Sequence, residues 1–192
     1  VQVQGGRMRL CVEALLQRGG SGLTVTGILE EEEIKSRQGS ARRKRNARSA
    51  AENALTLLEQ FGFSKQDYHA HINFPGGIPI DGPSAGAAMF LALYSAYTET
   101  PVPNTLALTG EIGLHGQVLP VGGVEDKLEA AQQAGATLAL IPQENWREVY
   151  REMEIEVVPV GDAETLLRRV FPPGEGATLS EGMEFLVGQE IG

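Results

Sequence analysis

The sequence carries a single cysteine, Cys11, in 192 residues. No internal disulfide can form, and nothing in the cysteine usage argues for an oxidising compartment. Long apolar runs are also missing. The longest uncharged apolar stretch, Ala85 to Tyr97, is well short of the ~20 residues a spanning helix needs. The N-terminus lacks the charged start and apolar core of a signal peptide. Positive charge is in deficit: 16 Lys and Arg against 25 Asp and Glu leave a net charge of -9. That balance argues against a general nucleic-acid binder. There is no Gly-x-x-x-x-Gly-Lys loop, so ATP is not bound through that motif. Neither Cys-x-x-Cys nor His-Glu-x-x-His occurs, so His69 and His71 lack the companions that zinc requires.

What is present is ordinary for a globular chain, 42% hydrophobic and 21% charged. A chain this long buries most of its apolar surface without a metal or disulfide staple. It opens at Val1 without a Met and reads as a fragment or processed product. Arg7 to Leu16 and Leu23 to Leu29 read as strands that could pair as a hairpin across Gly19 to Gly22. Glu30 to Arg48 is densely charged and reads as a solvated loop leading into a helix; its basic run, Arg42 to Arg48, could also be a subunit contact or a guide for acidic substrates. Asn46 to Phe61 reads as a helix with Ala50, Ala54, Leu57, Leu58 and Phe61 on one stripe, stopped by Gly62. Tyr68 to Phe74 alternates as a strand. Ile78 to Pro83 is extended, and Ser84 to Tyr97 is a largely buried helix. Thr105 to Ile112 and Gln117 to Leu119 read as strands joined by a turn at Leu114-His115-Gly116. Beyond them, helices over Val124–Ala134, Glu144–Arg151 and Ala163–Val170 alternate with strands over Thr137–Ile141 and Glu154–Val160, an α/β pattern. From Pro172 the chain turns Gly- and Pro-rich and ends in a loosely ordered tail.

Two residues stand out chemically. Ser84 sits in Gly82-Pro83-Ser84-Ala85-Gly86, at the start of an apolar helix. Flanking glycines allow close approach of a substrate backbone. Free N–H groups of a first helical turn can hold an oxyanion. A serine there is equally an N-cap, and the pattern alone leaves both readings open. Lys127 lies at i+3 from Val124, on the apolar stripe with Leu128 and Ala131, while Glu125, Asp126 and Glu129 take the other face. Burial disfavours the ammonium, and a neutral lysine can serve as base to a serine. The alternative is a lysine that packs its stem and keeps its charge in water.

The strings around these residues resemble the proteolytic domain of the Lon proteases. They are Asp81-Gly82-Pro83-Ser84-Ala85-Gly86, Thr109-Gly110-Glu111-Ile112, His115 to Gly123, Lys127 to Ala131, and Ile141-Pro142 with Glu144-Asn145. The resemblance runs from about Leu23 to Val170. It implies an α/β fold of mixed sheets, hairpins and packed helices over 1–171, with 1–22 as N-terminal strand and loop and 172–192 as tail. It implies Ser84 as catalytic serine and Lys127 as catalytic lysine. Asp81, Thr109 and Glu111 become supporting residues. Backbone groups of Gly82, Ser84 and Ala85 become the oxyanion site, and Ile78, Pro79 and Ile80 the strand that binds substrate. The implied activity is a serine endopeptidase acting on unfolded polypeptides in a homo-hexameric chamber. The chain itself needs no cofactor; ATP and magnesium enter only through an N-terminal ATPase module outside it. Location is expected to be cytoplasmic, although some shorter branches are membrane-tethered. Asn73 and Gly76 stand where many bacterial members have His and Glu, which points to those shorter branches.

Other readings remain. Lon-like domains without activity occur as structural or partner-binding modules, and they typically lack the serine or the lysine. The Gly82-x-Ser84-x-Gly86 pattern also fits the nucleophile elbow of α/β-hydrolases, which would need His115 with Glu99 or Glu111. His69 and His71 are expected to pack or hydrogen-bond, and Trp146 to pack the helix after Ile141.

Overall fold

The computed structural model describes residues 2–5, 8–27, 47–76 and 82–172. Its strands are β1 (Gln2–Gly5), β2 (Met8–Cys11), β3 (Glu13–Arg18), β4 (Gly22–Thr26), β5 (Tyr68–Asn73), β6 (Leu106–Leu108), β7 (Glu111–Ile112), β8 (Val118–Leu119), β9 (Leu138–Pro142) and β10 (Glu156–Val160). The α-helices are α1 (Ala47–Glu59), α2 (Gly86–Thr98), α3 (Val124–Gln133) and α4 (Ala163–Val170), with 3-10 turns at Gly82–Ala85, Gln143–Asn145 and Glu148–Glu152. The architecture is α/β with mixed sheets, as the sequence predicts.

The larger sheet has the order β10-β9-β6-β1-β2 and is parallel except where β2 meets β1. Residues of β6, β9 and β10 on opposite faces of the sheet serve two cores. Leu106, Leu108, Leu140 and Val160 join the core built on α1, α2 and α4. Ala107, Ala139, Ile141 and Val157 join Val124, Leu128 and Ala131 of α3 in the second core. Both faces are covered, so these strands read as continuous apolar runs rather than alternating ones.

The first half of helix α2, Gly86 to Leu93, is apolar all round because it is enclosed all round. Met89, Phe90, Leu91 and Leu93 are fully buried, each contributing about 1.5–3 kcal/mol. The helix packs on α1 and β3 and touches β7. The 3-10 turn that holds Ser84 is therefore fixed to a rigid element.

Several expectations are corrected. The Arg7–Leu16 run is two strands, because buried Val12, 2% exposed, marks a switch of sheets between β2 and β3. β3 and β4 do not form a hairpin. β5 lies between them, antiparallel to β3 and parallel to β4. The loop joining β3 to β4 crosses the end of β5, where Gly19 N–H donates to the Asp67 carbonyl at 2.9 Å. A Cβ on Gly20 would lie 3.0 Å from that of His69, so glycine gives the crossing its clearance. The Thr105–Ile112 run breaks at Thr109-Gly110. The helix expected over Glu144–Arg151 is two 3-10 turns, because Trp146 and Arg147 are extended between them. The helix ends at Gly62, Gly135 and Val170 fall where the sequence places them, within two residues. Residues 28–46, which hold most of the charged stretch, the segment 77–81 and the tail from 173 lie outside the described residues.

Candidate active site

Ser84 is half-buried in the 3-10 turn Gly82–Ala85 rather than in the first turn of an α-helix. The N-cap position of α2 belongs to Ala85, which makes no side-chain cap bond. The Ser84 carbonyl accepts from Gly110 N–H at 3.0 Å, and the Gly110 carbonyl accepts from Ala87 N–H at 3.0 Å. These bonds explain the interrupted strand. Thr109 makes the last bond to the sheet, donating its N–H to the Leu140 carbonyl at 3.2 Å. Gly110 then turns its backbone to the serine segment. The approach is close: a Cβ on Gly86 would lie 3.0 Å from the Ile112 backbone nitrogen.

The Thr109 hydroxyl also donates to the Ser84 carbonyl, at 3.4 Å. Thr109 is 3% exposed and Lys127 is 9% exposed, and among the described residues these are the buried side chains that are polar or charged, tyrosines aside. Both line one cavity of about 10 Å3 between β6, β9 and α3. The buried face of α3 is the one its periodicity predicts: Val124, Lys127, Leu128 and Ala131 are covered, while Glu125, Asp126 and Glu129 are exposed.

The structure thus joins Ser84 to Thr109 by a hydrogen bond, and the non-polar parts of Thr109 and Lys127 border the same small gap. Glu111 is half-buried at the start of β7, opposite Leu119 of β8. Gly82 opens the serine turn and buried Ala85 closes it. Asp81, Ile78, Pro79 and Ile80 lie outside the described residues. His115 is exposed in the turn between β7 and β8. His69 bonds through Nε2 to the Thr24 hydroxyl at 2.8 Å and through Nδ1 to the Ser21 carbonyl at 3.1 Å; His71 bonds through Nε2 to the Thr26 hydroxyl at 2.9 Å. Among the described residues no group of three or more His, Cys, Asp and Glu is placed to hold a metal.

Asn145 is a positioning residue whose role the sequence did not disclose. Its side chain accepts from Val121 N–H and donates to the Val121 carbonyl, both at 2.9 Å. It thereby fixes the turn ending at Gly123, whose carbonyl accepts the Lys127 N–H at 3.1 Å. The contact spans 24 residues, so no local pattern announces it.

A mixed α/β domain with a serine turn docked against a strand break and a lysine inside the adjacent core is a distinctive arrangement. Residues 2–170 match the family model of the Lon protease (S16) C-terminal proteolytic domain, and the chain belongs to that family. Lon protease 2 of Bacillus subtilis (strain 168) is 43% identical over 174 residues, covering 89% of this chain and 32% of the relative. The Lon protease of Geobacter metallireducens is 42% identical over 155 residues, 81% of this chain and 17% of the relative. The Lon protease of Methanosphaera stadtmanae is 40% identical over 141 residues, 73% and 16%. The chain spans between 16% and 32% of the length of these relatives.

Proposed function

We propose that this chain is the proteolytic part of a Lon-type protease, a serine endopeptidase with Ser84 as nucleophile and Lys127 as base. One observation carries the reading. Thr109 and Lys127, the buried polar or charged side chains among the described residues once tyrosine is set aside, border the same small gap, and Thr109 is bonded to the backbone of Ser84.

In this mechanism the Lys127 amine takes the proton from the Ser84 hydroxyl as its oxygen bonds to the carbonyl carbon of a peptide. Backbone N–H groups of the turn Gly82–Ala85 stabilise the oxyanion. The C–N bond breaks, and the Lys127 ammonium returns the proton to the leaving amine. Water then releases the acyl group from Ser84 by the same steps in reverse order. Thr109 orients the amine, and Asp81 and Glu111 shape the surrounding field. Unfolded polypeptides are the substrates, cut inside a homo-hexameric ring. An ATPase module of the longer protein delivers them and is where ATP and magnesium act.

The test is digestion of an unfolded protein without ATP, with the assembly state recorded in the same buffer. The parent cuts, and Ser84→Ala and Lys127→Ala each lose about 1,000-fold or more in kcat. Because the amine acts only when unprotonated, kcat rises with pH. A ring in which all three proteins cut equally, or none cuts, would make a partner-binding module the better reading.

A further inference from the structure

Helix α3 starts without a side-chain cap. Its N-cap is Gly123, in the left-handed region at φ +66, with no side chain to accept from the first turn. Gly122 and Gly123 are both exposed, and a Cβ on either would meet nothing within 4 Å. Packing at these two residues therefore does not fix the entry to the helix, and an uncapped helix end frays unless something else holds it. The half-buried Asn145 does so. Its carboxamide accepts from the Val121 N–H and donates to the Val121 carbonyl, both at 2.9 Å. A carboxamide offers acceptor and donor side by side, as a neighbouring strand would; a carboxylate of the same shape offers acceptors only.

The clasp ties together parts that meet at the lysine. Asn145 ends the 3-10 turn that follows β9 directly. Ala139, Leu140 and Ile141 of β9 border the same small gap as Lys127 and Thr109. Across the clasp, Val121 stands two residues beyond Leu119, the partner of Glu111 in the β7–β8 ladder. It also stands two residues before Gly123, whose carbonyl accepts the Lys127 N–H at 3.1 Å. Lys127 thus lies in the first turn of α3, so any shift of the helix start reaches it directly. The side chain is long and ends in a charge that water favours, yet the residue is only 9% exposed. A loosened helix start would let it out.

We infer that Asn145 is a positioning residue for Lys127: its carboxamide holds the start of α3 against the turn after β9, and this keeps the lysine covered. The catalytic consequence rests on the Ser84–Lys127 reading. The coverage of Lys127 rests on the clasp alone, so the two are measured separately.

Competitive acetylation of the full chain with limiting acetic anhydride, read by mass spectrometry of its peptides, reports how freely each lysine meets solvent and needs no turnover. Lys65, whose side chain is 36% exposed, is the internal reference. In Asn145→Ala and in the isosteric Asn145→Asp, with circular dichroism unchanged, labelling of Lys127 relative to Lys65 rises about tenfold or more. Glu144→Ala, exposed one residue earlier, keeps the parent's ratio. Digestion of an unfolded protein is run alongside, with Ser84→Ala and Lys127→Ala. There kcat of the Asn145 variants falls about tenfold to a hundredfold with KM nearly unchanged. Its rise with pH also moves to more alkaline pH, because a hydrated ammonium gives up its proton less readily than a covered one. A smaller folded fraction would instead lower kcat by one factor at every pH. A Lys127 labelling ratio equal to the parent's overturns the inference. So do Asn145 variants that match the parent's kcat and pH profile while Ser84→Ala and Lys127→Ala are silent. Loss of the parent's circular dichroism in both Asn145 variants would make Asn145 a residue of the fold and overturn it as well. Cutting by Ser84→Ala or Lys127→Ala at the parent's rate sinks the Ser84–Lys127 reading and the catalytic consequence with it, and the labelling ratio still decides whether the clasp keeps Lys127 covered.

Discussion

Thr109 contributes two different bonds, its N–H to the sheet and its hydroxyl to the serine turn. Valine has nearly the same shape and keeps the first bond but not the second. On the proposed mechanism Thr109→Val lowers kcat about tenfold, leaves KM nearly unchanged, and is rescued by Thr109→Ser. A larger change in KM than in kcat would mean that Thr109 shapes the substrate site instead. At this scale the sequence was informative where periodicity spoke. Lys127 fell on the covered stripe of α3 because helical spacing puts i and i+3 on one face. Ser84 was placed at a helix start by its small neighbours, although the turn type was not legible. Asn145 entered only as part of the string Glu144-Asn145, and its role was not legible, since its two bonds to Val121 depend on how β9 returns beside the turn 121–123.

The elements were legible where one kind of periodicity ran unbroken, as in α1, α2 and α4. They were misread where two elements abutted without a Gly or Pro signal, as at Val12, or where a strand broke to serve a tertiary contact, as at Thr109-Gly110. The extended pair Trp146 and Arg147 defeated the helix expected there because packing overrode a weak propensity. Two substitutions separate stability from activity at this scale. Asp162 caps α4, accepting from Thr165 N–H at 2.6 Å, and Asp162→Ala costs about 1 kcal/mol while leaving cleavage intact. Gly86→Ala forces a Cβ against the Ile112 backbone, which is tied into the β7–β8 ladder. The strain of such overpacking, about 1–3 kcal/mol, exceeds the gain in helix propensity of about 1 kcal/mol and displaces the serine turn. Its loss of activity therefore outruns its loss of stability. Thermal midpoints and cleavage rates measured side by side check both.

For the molecule as a whole, alkaline pH is a weak flank. Burial raises Tyr94 above its ordinary value of 10.0, and burial with the Glu125 carboxylate raises Tyr150. A phenol whose folded value is raised contributes stability in full below the unfolded value, and loses it as pH climbs through the folded one. The denaturation midpoint should fall from about pH 10 upward, and the pair Tyr94→Phe with Tyr150→Phe should flatten that fall. Equal slopes for parent and variant would show that other groups govern the alkaline limit. The position of β5 between β3 and β4 also has a consequence for synthesis. Residues 13–26 emerge from the ribosome with neither strand's partner yet made, since both bind to residues 68–73; even the nearest matched pairs, such as Gly22 with His69, are far apart in sequence. Pairings this remote fold slowly. The nascent chain thus carries two bare strand edges, open to misassociation, until α1 and β5 have left the exit tunnel and the smaller sheet can close.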